Sequence, residues 1–111
     1  MIVIDGQDIF ISYGDTFDVL FELAEGYKVA ETDTIIFSVK ATAGSSDVLL
    51  SKTIPFTSVD EISVNISADE MAFLGVGAKV YDILVKNSNN VVTLNFPAKL
   101  IIKEVVHDVG Q

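Results

Sequence analysis

Apolar side chains recur at every second position along most of this chain. Phe17, Val19, Phe21 and Leu23 alternate with Thr16, Asp18, Leu20 and Glu22. Ile35, Phe37, Val39 and Ala41 alternate with Thr34, Ile36, Ser38 and Lys40. The same rhythm returns in Ile62, Val64 and Ile66, and again in Tyr81, Ile83 and Val85. Successive residues of a strand point to opposite faces, so each set marks one buried face of a sheet. Weaker strand candidates are Asp8 to Tyr13, Val48 to Ile54, Val91 to Phe96 and Ala98 to Val106.

Turn chemistry falls between these segments. Tyr13-Gly14-Asp15, Glu25-Gly26-Tyr27, Ala43 to Asp47 and Asn87 to Asn90 are all rich in Gly, Asn, Asp or Ser. Asn also tolerates positive φ, which suits a tight hairpin. Strands spaced by roughly 10 to 15 residues suggest a sandwich or barrel rather than βαβ units. One segment departs from the rhythm. Ser67-Ala68-Asp69-Glu70 reads as a capping box, with Ser67 as the cap and Glu70 reaching back. Gly75 and Gly77 then stop the helix. The expectation is all-β: an immunoglobulin-like two-sheet antiparallel sandwich, one domain over 1–111, with one short helical crossover near 68–74. Pro97 should mark a strand end or bend, because it has no N–H for the ladder.

Charge narrows the function. Sixteen acidic residues against seven basic ones give a formal net charge of −9, and every basic residue is Lys. That field repels a phosphate polyanion, and no Arg is present for bidentate phosphate or guanine contacts, so nucleic acid is not expected as a partner. No apolar run approaches the roughly 18 residues of a membrane span. Met1 to Asp5 lacks the basic start of a secretory signal and is not read as one, and no membrane partner is expected. Cysteine is absent, which fits a reducing compartment and removes thiolate chemistry.

Candidate chemistry is sparse. Asp5 with Asp8, and Asp15 with Asp18, could contribute oxygen ligands to calcium, but the spacing is not that of an EF-hand. Solvated carboxylates explain them as well. Asp60-Glu61 and Asp69-Glu70 are adjacent pairs with nothing to raise a pKa. His107 stands alone near the end, without a nucleophile to serve. Asn65-Ile66-Ser67 matches a glycosylation sequon, yet Ser67 is better explained as a cap. No catalytic, cofactor or metal residue is assigned, and an enzyme is not expected.

The informative anomaly is apolar residues on the polar phase: Leu20, Ile36 and Leu84. In an immunoglobulin-like order the strands carrying Ile36 and Leu84 are neighbours. Those side chains should then share one outer face and, with Leu20, form a protein–protein interface. A different class of function would use loops at one pole, around Tyr13, Tyr27 and Ala43 to Asp47, to bind carbohydrate or a cell surface.

Leu74-Gly75-Val76-Gly77-Ala78-Lys79-Val80-Tyr81, continuing to Val85, resembles the stretch of immunoglobulin-like and fibronectin-like modules that ends in a tyrosine corner. Tyr81 is the matching position, with Gly77 one residue further away than in the common form. A wider resemblance takes in Gly14 to Phe17, Thr34 to Lys40, Ile66 to Met71, Tyr81-Asp82-Ile83 and Asn95 to Leu100. These stretches look like the N-terminal domain of phage baseplate upper proteins. The resemblance implies an immunoglobulin-like scaffold that assembles with other virion or tail proteins, or with itself as a homo-oligomer. It further implies a place in the phage tail, or in the bacterial cytoplasm before assembly. It carries over no functional residue.

Overall fold

The computed structural model describes residues 2–94 and 98–104. Nine strands and one helical turn follow in order: β1 (Ile2–Asp5), β2 (Asp8–Ser12), β3 (Phe17–Glu22), β4 (Thr34–Lys40), β5 (Val48–Ile54), β6 (Glu61–Ile66), α1 (Ala68–Ala72), β7 (Gly77–Lys86), β8 (Val91–Thr93) and β9 (Ala98–Lys103). They form a two-sheet, all-β sandwich. One sheet runs β1-β2-β9-β7-β4-β5, with β8 also pairing to β7, and the other holds β3 and β6.

The alternation places the core. Ile9, Ile11, Phe37, Val39, Ile83 and Leu100 face inward from the large sheet, and Phe17, Val19, Ile62, Val64 and Ile66 from the small one. Phe37 packs between Phe17, 5.5 Å away between ring centroids, and Tyr81, 5.4 Å away. Among the described residues none that is polar or charged is buried.

Two expectations are corrected. The large sheet is not wholly antiparallel, because β2 and β9 run parallel. Side-chain alternation reports which face is buried and is blind to the direction of the neighbouring strand. The direction comes instead from a β1–β2 hairpin absent from the sequence reading: Asp5 opposes Asp8 around Gly6-Gln7. Gly6 has φ +63° and no described non-glycine residue has positive φ, which is the pattern of a type II′ turn. That turn starts β2 at the same pole from which β9 starts.

The second correction concerns Asn87 to Asn90. The loop does not use positive φ there. The Asn87 side-chain oxygen instead accepts the amides of Asn89 and Asn90, both at 2.8 Å, and so stands in for a backbone partner. The helical crossover stands where it was expected: α1 runs Ala68–Ala72, with Phe73 as its C-cap. The expectations for Pro97 and His107 lie outside the described residues.

Candidate functional site

A cleft of about 410 Å³ opens between the two sheets along one side of the sandwich. Its walls come from β3 and the residues after it, from Ile4 and the β1–β2 turn, and from Tyr81, Ile83 and Leu94. The volume falls within the range of ordinary ligand sites. The cleft exists because the small sheet has two strands and the large one has seven. β3 and β6 cannot cover the whole inner face, and the uncovered part lies beside β3.

The rim is the outer edge of β3. Among the described residues β3 pairs with β6 alone. Leu23 donates its amide to the Asp60 carbonyl at 2.9 Å, continuing that ladder. Antiparallel ladders alternate, so Phe17, Val19 and Phe21 also direct their backbone groups to β6. Asp18, Leu20 and Glu22 therefore aim their N–H and C=O groups away from β6. Leu20 and Glu22 line the cleft at that edge. Leu20 is 54% exposed, and Ile4, across the opening, is 53% exposed.

Tyr81 forms the floor. Its ring lies 6.0 Å from Phe21 and stacks on Phe37. Its hydroxyl donates to the backbone carbonyl of Gln7. This corrects the tyrosine-corner expectation: the partner is the β1–β2 turn rather than the α1–β7 crossover. The long β7 starts at Gly77 and lies beside β9, so Tyr81 is already opposite Ala98, beside Asp8 and the hairpin. Burial pushes the Tyr81 phenol up to about 12, with the nearby Asp8 carboxylate adding to the rise.

The proposed interface trio does not assemble. Ile36 and Leu84 are direct cross-strand partners, as the strand order required. They are half-buried, and Thr53 and Thr93 flank them in the same row. The next row on that face is Ser38 opposite Asp82. A second apolar spot, Phe10 beside Ile101, lies near the other end of the sheet, with the Lys103 ammonium 5.6 Å from the Phe10 ring centre. Leu20 belongs to the small sheet, on the cleft rim. Alternation alone could not assign it to a sheet.

The other candidates separate as well. Tyr13 and the 43–47 loop lie at the pole where β2 and β4 end, whereas Tyr27 lines the cleft at the opposite pole. Asp5 and Asp8 are likewise distant from Asp15, because β2 separates the two pairs lengthwise. Among the described residues no cluster of three acidic or histidine side chains could hold a metal ion. Asp60 accepts from the Ser58 hydroxyl at 2.7 Å, which suits a turn rather than acid–base work.

The capping box is present. The Ser67 side chain accepts the Glu70 amide at 3.2 Å, and Glu70 Oε1 takes the Ser67 amide at 3.4 Å. Lys52 adds a donor to the same Oε1 at 2.7 Å, tying α1 to β5. That hydrogen bond, ahead of the Ser67 contacts, holds the Glu70 carboxyl below its usual range.

The sequence reading missed Ile4, Gln7 and Leu94 as site residues. Ile4 and Gln7 had a readable signal: apolar Ile2 and Ile4, then Gly6-Gln7, then Ile9 and Ile11. Leu94 had none, since its place depends on its amide donating to Ile83 across the β7–β8 pair. Phe73, 90% exposed at the end of α1, was also not anticipated as a surface residue. No family model and no curated protein matches this chain.

Proposed function

We propose that this domain is a non-catalytic assembly module that binds other proteins through the cleft beside β3. The observation that carries this reading is an apolar cleft whose rim is a strand edge with no partner among the described residues. An exposed edge is a template for another chain, and proteins usually blunt it. Here the edge opens onto apolar walls. The resemblance to the N-terminal domain of phage baseplate upper proteins supports placing the module in a phage or prophage tail.

The test is mass spectrometry of purified tail particles from cells that carry the gene. The protein is expected as a stoichiometric component. Its absence from particles complete in their other parts would refute the tail assignment.

A further inference from the structure

Resting on that reading, we infer that the cleft binds by strand addition: an extended segment of another protein, apolar on one face and basic on the other, pairs with the outer edge of β3. Three features select this occupant.

The first is the row of backbone groups on Asp18, Leu20 and Glu22 directed away from β6. A small apolar ligand would fill the cleft and leave those groups to water. An added strand pairs them, and main-chain hydrogen bonds then supply the affinity while alternate side chains supply the fit. Directly opposed residues on neighbouring strands point to the same face. Residues of the incoming strand opposite Val19 and Phe21 would enter the cleft, over Tyr81 and Ile83.

Charge is the second feature. Residues opposite Asp18 and Glu22 would face outward beside those carboxylates, and Glu61 lies across the ladder from Glu22. Cross-strand pairs of opposite charge are favourable and pairs of like charge are not. The incoming strand therefore carries Lys or Arg at the two outward positions, spaced four apart. A net charge of −9 steers such a segment toward the domain.

The third feature argues against a second copy of this chain. Two β3 strands paired antiparallel about Leu20 would set Asp18 against Glu22 twice.

The probe is a labelled peptide, acetyl-Val-Lys-Ile-Thr-Val-Lys-Val-amide, with a Glu-for-Lys version as control. Binding is read by fluorescence anisotropy, and site by amide hydrogen exchange. Saturable binding is expected, with exchange at Asp18, Leu20 and Glu22 slowed about tenfold or more, since those amides gain partners only by strand pairing. The double variant Asp18→Lys with Glu22→Lys should weaken the basic peptide about tenfold and bind the Glu version instead. Both changes are at exposed positions, so folding is expected to survive, and the circular dichroism spectrum checks this.

No binding up to about 1 mM peptide, or protection that falls elsewhere, overturns the inference. Concentration-dependent dimerisation that protects the same three amides without peptide overturns the foreign-strand occupant in favour of a second copy. Protection of those amides that is lost on deleting residues 105–111 overturns it in favour of the chain's own end. A domain present in tail particles but silent to the peptide would sink strand addition alone. A domain absent from particles but bound by the peptide would sink the tail reading alone.

Discussion

Removing one oxygen tests how the cleft floor is held. Tyr81→Phe keeps the ring stacked on Phe37 and beside Phe21, and deletes only the donor to the Gln7 carbonyl. Tyr81 is 2% exposed, so its hydroxyl is shielded from bulk water in the folded protein. Losing a hydrogen bond of this kind costs about 1–2 kcal/mol. With an unfolding entropy of ~2.1 cal/mol/K per residue, that is a fall in Tm of roughly 4–9 °C for a chain of this size.

A second readout separates this from mere loss of packing. The folded phenol is raised from 10.0 to about 12. The fold therefore favours the neutral form. The sign follows: stability is intact below pH 10 and is lost as pH rises through about 12. The loss is on the order of 2 kcal/mol. Urea melts from pH 9 to pH 12 would show that decline in the native protein, and Tyr81→Phe should lack it. Absorbance at 295 nm should show a late phenol ionisation near 12 that the variant also lacks. Equal urea midpoints at pH 7, together with no late ionisation, would refute the buried hydrogen-bonded hydroxyl.

Three further predictions concern the core and the α1 cap. Phe17→Ala should cost about 3–5 kcal/mol in urea unfolding, because a fully buried ring leaves a cavity against Phe37; a loss under about 1 kcal/mol would mean that the core collapses freely. Ser67→Ala should cost about 1 kcal/mol through the lost cap. Glu70 has a lowered pKa, so its contribution is present above its ordinary value of 4.5 and fades as pH falls. Glu70→Gln should flatten the acid limb of a Tm-versus-pH curve, and an unchanged limb would remove Lys52 and Ser67 as the cause.

Features confined to a few neighbouring residues were legible before any fold was known. Period-two alternation identified the inward faces of β3, β4, β6 and β7, because strand geometry alternates side chains whatever the partner. Ser67 and Glu70 announced their cap, because both halves of the box lie within one turn. The pairing of Ile36 with Leu84 followed from assuming an immunoglobulin-like strand order.

Whatever depends on which edge meets which emerged only from the packed chain. Alternation gives a strand its faces but not its neighbours, their direction or its sheet. The parallel β2–β9 pair, the assignment of Leu20 to the small sheet and the long reach from Tyr81 to Gln7 could not be read locally. The cleft is of the same kind. It follows from two strands failing to cover seven, a mismatch between sheets that no single segment of the chain encodes.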